Sequence, residues 1–338
     1  MPEVSVLMSV YNAENYLCEA IESILNQTYQ DFEFIIINDG STDNSLNVIR
    51  SYASDKRIKV YNLEGNGGLA NALNFGLEKV SGKYVARQDA DDISHVDRLG
   101  KQKDILDKRV DISLVDSFVE YFPSNSEVGE SERYKFYKSI VEKDKNRPFS
   151  PEEIREKLYW YCCITHGTIM ARREVITPIG YDGSFRVAED YKLFYRLNKL
   201  GYKTCKINEV LLKIRVSSSS NMAKYKNLNN RMIFQIKEDE IRNLYKERQP
   251  LIWGAGSAGL TVLEILKENG LDIEGFLDSG SDKQGTQIQG RYVYSPDILK
   301  DRTKGYKVLI ASSIGKFQIN ELLKSWGYRH LEDFVVYF

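Results

Sequence analysis

The sequence predicts an α/β protein: a doubly wound, largely parallel sheet from Val4 to Asp92, and a second, smaller βαβ unit after Pro250. Three observations carry this. Apolar, β-branched runs alternate with stretches of helical periodicity, and short connections between them force parallel pairing with crossover helices. Several runs stop abruptly at Asn, Asp or Gly, as strands do where a loop begins. After Pro250 a new strand leads straight into the glycine-rich turn Gly254-Ala255-Gly256-Ser257-Ala258-Gly259.

In order along the chain, Val4–Val10 is apolar enough to be a strand buried on both faces. Leu17, Ala20, Ile21, Ile24 and Leu25 then repeat on one helical face. Phe32–Ile37 is a second strand ending in Asn38-Asp39-Gly40-Ser41, and a helix follows through Leu46, Val48 and Ile49. Ile58–Tyr61 is a third strand, Leu69–Val80 a third helix, and Tyr84–Ala86 a fourth strand running into Asp89-Ala90-Asp91-Asp92. Ligands of such sheets bind beyond the carboxyl ends of the strands. From Asp111 onward the pattern suggests antiparallel strands at Ile112–Phe122, Ile164–Ala171 and Tyr202–Val216, with helices at Pro151–Tyr159 and Asp190–Leu200.

The serine run Ser217–Ser220 is the clearest local break. Lys224–Gln249 reads as a connecting helix: a solvated linker, or a basic amphipathic surface able to touch an anionic membrane. The expected organisation is therefore residues 1–222, a helical linker 223–248, and an accessory domain 249–338.

Bulk properties narrow the classes. A chain of 338 residues has room for two domains, and 42% hydrophobic with 28% charged residues suits a folded, soluble protein. A net charge of −1 offers no footprint for nucleic acid. No apolar run reaches the ~20 residues a bilayer crossing needs, and Met1-Pro2-Glu3-Val4 lacks the basic and apolar regions of a secretory signal, so a cytoplasmic location is expected. Cys18, Cys162, Cys163 and Cys205 show no metal-ligand spacing and read as reduced thiols.

The chemistry concentrates at the strand ends of the first domain. Ser9-Val10-Tyr11-Asn12 offers an aromatic face, Asn38-Asp39 a carboxylate, and Asp89-Ala90-Asp91-Asp92 an acidic cluster. A nucleotide diphosphate needs a flat surface for its base, acceptors for base and ribose, and a cation for its phosphates. Two carboxylates one residue apart at a strand exit can turn toward one hard cation such as Mg²⁺ or Mn²⁺. An isolated Asp-x-Asp is more often a solvated turn. Its position after an apolar strand, in register with Asp39, favours the functional reading.

Over residues 4 to 215 the chain resembles family 2 glycosyltransferases of the GT-A fold, a nucleotide-diphospho-sugar transferase architecture with a mixed sheet flanked by helices. The resemblance rests on Ser9–Asn12, Asn38–Asp43, Asn66-Gly67-Gly68-Leu69, Ala86–Ser94 and Glu189-Asp190, in that family's order and spacing. It implies an inverting, metal-dependent transfer from a nucleotide-diphosphate sugar, a UDP-sugar first, to a saccharide or lipid-linked saccharide in cell-surface glycan synthesis. It would place the enzyme in the cytoplasm or on the inner face of the membrane. Ser9, Tyr11, Asn12, Asp39, Asn66, Gly67, Ala70, Arg87, Asp89, Ala90 and Asp91 would hold the donor, with Tyr11 on the base and Asp39 accepting from its ring nitrogen. Asp91, with Asp89, would hold Mn²⁺ or Mg²⁺, and Asp190 would take the acceptor's proton. Glu189, His166 and Arg215 are placed on the acceptor side. Ser217 stands where many relatives have a histidine, so a third protein ligand for the metal is not supplied from there.

Gly254, Gly256 and Gly259, with Asp278 at the next strand end, form a dinucleotide fingerprint. The expected role is that of a Rossmann-like accessory module, holding a nucleotide or serving packing or oligomerisation. Two other classes stay open: an NAD(P)-dependent oxidoreductase centred on these glycines, and a non-catalytic module that only binds nucleotide sugars.

Overall fold

The computed structural model describes residues 1–217, 226–312 and 314–338. The serine run beyond Ser217 and the expected boundary at 222/223 lie outside the described residues. The chain forms two compact units. Residues 1–158 and 162–217 belong to the first, and residues 159–161 and 226–338 to the second.

The first unit is built on eight strands: β1 (Val4–Val10), β2 (Phe32–Asn38), β3 (Ile58–Asn62), β4 (Tyr84–Asp89), β5 (Ile93–Ser94), β6 (Ile112–Pro123), β7 (Met170–Arg172) and β8 (Lys203–Val216). Their order in the sheet is β3-β2-β1-β4-β7-β6-β8-β5. β3, β2, β1 and β4 are all parallel, and the register sets Val10 beside Asn38 and Ser9 beside Asp89. The ends carrying the candidate residues are therefore level along one edge of the sheet.

The helices are α1 (Leu17–Leu25), α2 (Ser45–Ser51), α3 (Leu69–Leu77), α4 (Arg98–Lys108), the short α5 (Ser126–Glu130), α6 (Glu132–Phe136) and α7 (Glu142–Lys145), then α8 (Pro151–Leu158), α9 (Arg173–Ile179) and α10 (Glu189–Lys199). The spacing of Leu17, Ala20, Ile21 and Ile24 does what it predicts: all four are fully buried against β1 and β2 residues such as Val6, Met8 and Phe34. Each such side chain taken out of water contributes about 1.5–3 kcal/mol.

Beyond Asp111 the structure departs from the antiparallel expectation. β6 and β8 pair in parallel with three register shifts, and only β7 and β5 run against their neighbours. Most of Ile164–Ala171 is not strand; His166–Thr168 is a 3₁₀ turn, and β7 begins only at Met170. A buried pair explains why this region folds on itself. The Lys206 ammonium lies 3.0 Å from Asp116, both side chains fully buried, and donates to the carbonyls of Lys145 and Cys163 at 2.8 and 3.0 Å. A buried charge is tolerable only when matched in this way.

In the second unit, α11 (Lys226–Ile236) and α12 (Glu238–Leu244) precede a sheet of β9 (Leu251–Trp253), β10 (Gly275–Leu277), β11 (Gln287–Ile288), β12 (Arg291–Tyr294), β13 (Val308–Ile310) and β14 (Phe334–Val336), with α13 (Ser257–Glu268) and α14 (Lys316–Ser325). The order is β11-β12-β10-β9-β13-β14, parallel except at β11. The helices read as a linker belong to this unit's core: Phe234, Ile241 and Leu244 pack with Ile252, Val262 and Leu266. The amphipathic face offered to solvent or membrane is thus a packing face. Lys237, fully buried, donates to the carbonyls of Trp160, Val336 and Tyr337 at 2.7–2.9 Å.

Candidate active site

The loops after β1, β2 and β3 are stitched together by short polar residues. Asn12, in the left-handed region (φ 51°), accepts from the Thr42 amide at 2.8 Å, and its own amide donates to Ser41. Gly40 (φ 67°) allows its loop to approach Gly65, whose carbonyl carbon would lie 2.6 Å from any Cβ placed there. Asp39, buried, accepts from the amides of Gly67 and Gly68 at 2.9 and 3.0 Å, one on each carboxylate oxygen. Asp39 therefore positions the Asn66–Ala70 loop directly. Tyr11, following β1, remains half exposed, and Ala70, in the first turn of α3, is buried.

The acidic cluster is held from below. Gln88 donates to the carbonyls of Asp89 and Asp92, while its own oxygen accepts from Ser94 and Arg98. Arg98 is fully buried and also reaches the Arg87 carbonyl, so it braces the turn. Arg87 donates Nη2 to Asp89 Oδ1 at 2.6 Å, and its buried Nε and Nη1 have no hydrogen-bond partner among the described residues. Asp92 accepts from the Arg215 amide at 2.9 Å. Asp91 is the member whose carboxylate carries no such commitment to another residue.

Electrostatics separate the three carboxylates. Burial works most strongly to raise Asp89, but the Arg87 charge and hydrogen bond together with His166 and Arg98 outweigh it and hold that group below the usual range. Asp91 is pushed up to about 6 by burial and by Asp89, and Asp92 well above its ordinary value by burial and by Asp91. Arg87 and Arg215 offset only part of this at Asp91.

The structure places Arg215 against this cluster. Its guanidinium donates to the Asp91 carbonyl and to Glu19, and sits over the rings of Tyr16 and Phe122. Its side chain is accordingly spent on bracing the acidic turn. His166 is half-buried and bonded to the Tyr181 hydroxyl at 2.8 Å, with desolvation and Arg87 lowering it to about 4. It is neutral near pH 7.

α10 opens with Glu189 and Asp190, preceded by Ala188 in the left-handed region (φ 59°), a conformation that alanine adopts only under constraint. Asp190 Oδ1 accepts from the Tyr191 amide at 2.7 Å. Burial and Asp190 push Glu189 up to about 7. Arg87 links this end to the acidic cluster: it bonds Asp89, and its charge acts on His166, Tyr181 and Glu189.

Sequence reasoning missed Gly167. A Cβ there would lie 2.8 Å from Asp89 Oδ2 and 3.4 Å from Asp92 Oδ2, so the 3₁₀ turn supports the cluster from the other side. It also missed Lys145, which donates to the carbonyls of Cys162 and Ile164. The network's charged pair is Lys206 and Asp116, and nothing in the sequence marks them apart from the other charged residues of β6 and β8.

In the second unit, Asp278 accepts from the amides of Ala255 and Gly280 at 3.0 and 2.9 Å and lies 3.4 Å from Lys283. Gly259 packs so closely on Gly254 that a Cβ would collide with its carbonyl oxygen. Among the described residues, no three His, Cys, Asp or Glu side chains form a ready-made metal cage, and no helix is long and apolar enough to cross a membrane.

A mixed sheet with acidic residues at its parallel strand ends, faced by a helix opening on two carboxylates, defines a sugar-transferase class of site. Residues 5–180 match the description Glycosyl transferase family 2, and residues 246–332 match C2185-like, N-terminal. A glycosyltransferase of Haemophilus influenzae, itself uncharacterized, is 35% identical over 71% of this chain and 73% of its own length. The UDP-Gal:alpha-D-GlcNAc-diphosphoundecaprenol beta-1,3-galactosyltransferase of Escherichia coli is 33% identical over 65% of this chain and 76% of its own. The mannosyltransferase PcManGT of Pyrobaculum calidifontis, solved with GDP-Man and Mn²⁺, shares the fold at 20% identity (TM-score 0.52); the match covers 71% of this chain and 64% of that one. The chain belongs to glycosyl transferase family 2 and is a glycosyltransferase.

Proposed function

We propose that the enzyme moves a sugar from a nucleotide-diphosphate donor, a UDP-sugar first, to a lipid-linked saccharide, inverting the anomeric configuration. The observation that carries this reading is the division of labour in the acidic cluster. Asp89 is tied to Arg87 and Asp92 to the Arg215 amide, which leaves Asp91 uncommitted and unfavourably charged. That is the donor chemistry a hard divalent cation fits. Asp91, with Asp89 beside it, would hold Mn²⁺ or Mg²⁺, which when bound offsets charge on the departing diphosphate.

The remaining work falls to this chain's own groups. The exposed Tyr11 ring is available to the base, and the Asp39-held Gly67–Gly68 backbone lines the nucleotide. Asp190 keeps one oxygen on the Tyr191 amide, leaving the other to take the proton of the acceptor hydroxyl. The sugar–phosphate bond breaks as the new glycosidic bond forms, and the proton ends on Asp190. The diphosphoundecaprenol-linked acceptor of the Escherichia coli relative supports a lipid-linked acceptor here, which would place the reaction at the inner face of the cell membrane.

The oxidoreductase reading is less favoured, because Asp278 already accepts from two backbone amides and lies 3.4 Å from Lys283. We read the second unit as an accessory module whose Asp278 holds the glycine-rich loop in shape for a nucleotide or a second copy. Nucleotide release should be measured against UDP-, GDP- and dTDP-sugars with Mn²⁺ and a polyprenyl-diphosphate saccharide. Release that requires both cation and acceptor is the expected result; no release with any donor would refute the transfer reading.

A further inference from the structure

Between β6 and α8 the chain makes one continuous helical stretch. α6 passes through a π turn, Tyr137–Val141, into α7, and the joints Tyr137 (φ −60°, ψ −47°) and Glu142 (φ −58°, ψ −45°) are themselves helical. Its inner face is partnered. Tyr134, Tyr137 and Val141 pack on Val119, Tyr121, Val128, Leu212 and Val216, and Glu142 accepts from the Tyr121 amide at 2.7 Å. The outer face is different. Phe136 and Ile140, one turn apart, are 51% and 56% exposed, with Lys135, Ser139 and Lys143 exposed beside them.

Charge on this stretch is one-sided. Residues 132–147 hold six basic and three acidic side chains; with Lys145 taken up by the Cys162 and Ile164 carbonyls, five basic groups stand against three acidic ones, in a chain whose net charge is −1. Each acid is matched locally: Glu132 with Lys135, Glu142 with Lys138, Asp144 with Arg147. Lys143 makes no ion pair among the described residues. Two exposed apolar side chains within a net-positive surface suit the headgroup layer of an anionic bilayer.

Its location matches that use. β6 is antiparallel to β7, which is antiparallel to β4, so β6 delivers the stretch at the edge where β4 ends in Asp89. At its far end Lys145 binds the Cys162 and Ile164 carbonyls, within electrostatic reach of Asp190. Other exposed apolar residues, Val110, Leu200 and Tyr202, sit at the opposite, amino ends of β6 and β8.

We propose that the face formed by Phe136 and Ile140, flanked by Lys135 and Lys143, docks on an anionic membrane surface and brings the acceptor side of the site to the bilayer. The purpose rests on the reading of a lipid-linked acceptor; the docking itself is measured without it. The test is co-sedimentation of the full chain with vesicles of phosphatidylcholine alone or mixed with phosphatidylglycerol. The wild type should bind the mixed vesicles and release them as salt rises. Phe136→Ser/Ile140→Ser should weaken binding about tenfold or more. Lys135→Gln/Lys143→Gln should abolish the preference for the anionic vesicles. Thermal stabilisation by UDP serves as the control for folding and should be unchanged in both variants. A wild type that ignores both vesicles, or a serine variant that binds as well as wild type, overturns the proposal. So does light scattering that shows a wild-type dimer lost in the serine variant while vesicle binding persists, because the face is then a contact between copies. Failure of the transfer reading shows instead in nucleotide release, which this assay does not touch.

Discussion

Gly167→Ala tests how tightly the acidic cluster is supported. Gly167 is not among the residues with positive φ, so alanine meets no backbone penalty and the whole effect comes from its methyl group. That carbon would lie 2.8 Å from Asp89 Oδ2, 2.9 Å from Leu212 Cδ2 and 3.4 Å from Asp92 Oδ2. Neither near neighbour can give freely: Asp89 is fastened to Arg87 at 2.6 Å, and Leu212 is fully buried. Overpacking of this kind costs roughly 1–3 kcal/mol, which in a unit of this size lowers the melting midpoint by roughly 2–4 °C per kcal/mol. If Asp89 yields, a displacement approaching 1 Å should cost on the order of 100-fold in kcat/KM. The assay is nucleotide release over a range of donor concentrations, with melting followed in parallel. The control is Gly100→Ala in α4, where the added carbon meets only Tyr29 Cβ at 3.7 Å and activity should be unchanged. If Gly167→Ala keeps both its melting midpoint and its donor kinetics, the 3₁₀ turn does not support the cluster and the reasoning fails.

Other perturbations separate the remaining roles. Asp190→Asn should lower kcat by about 10²–10⁴-fold while stabilisation by UDP stays intact; a matching loss of UDP binding would assign Asp190 to the donor instead. Asp91→Asn should remove the cation-dependent part of that stabilisation, which at ligand near 100 Kd is about 2.7 kcal/mol; unchanged Mn²⁺ dependence in thermal shift would take the ion away from Asp91. Glu33, buried, is lowered from 4.5 to about 2 because hydrogen bonds from Lys59, Ser5 and Ser81 outweigh its desolvation. A lowered folded value adds stability above the unfolded one that is lost as pH falls, at about 1.4 kcal/mol per unit. Glu33→Gln should therefore cost up to about 3 kcal/mol at pH 7, and denaturant midpoints of mutant and wild type should converge between 4.5 and 2. A difference independent of pH would mean the carboxylate's charge contributes nothing.

The parallel half of the first unit was readable because its information is local. Each strand announces itself in consecutive residues, each helix in a repeat of three and four, and short connections leave little choice of topology. The half after Asp111 was not, because its organisers act at a distance. Lys206 meets Asp116 ninety positions earlier and holds the Cys163 carbonyl, and no window of sequence contains both partners. The same holds for Gly167, whose neighbour Asp89 arrives from another strand. The segment 226–248 misled for a related reason: its charge suggested solvent, but Phe234, Ile241 and Leu244 fall on one face with a core waiting for them.

Four strand-end or helix-start aspartates looked alike in the sequence: Asp39, Asp91, Asp190 and Asp278. Structure separates them by what already occupies their oxygens. Asp39 and Asp278 each accept two backbone amides and so act on loops, positioning Gly67–Gly68 in one unit and Ala255 in the other. Asp190 gives one oxygen to the helix and keeps one. Asp91 gives neither to another residue among the described residues, and burial and Asp89 raise the cost of its charge more than Arg87 and Arg215 relieve it. A carboxylate that already accepts an amide on each oxygen is a less ready cation ligand, because the ion competes with hydrogen bonds worth roughly 1.5–3 kcal/mol each. Motif spacing cannot register that difference, since the donors come from residues outside the motif. On the function proposed above, these engagements favour Asp91 for the cation and Asp190 for the proton, with Asp39 and Asp278 holding their loops.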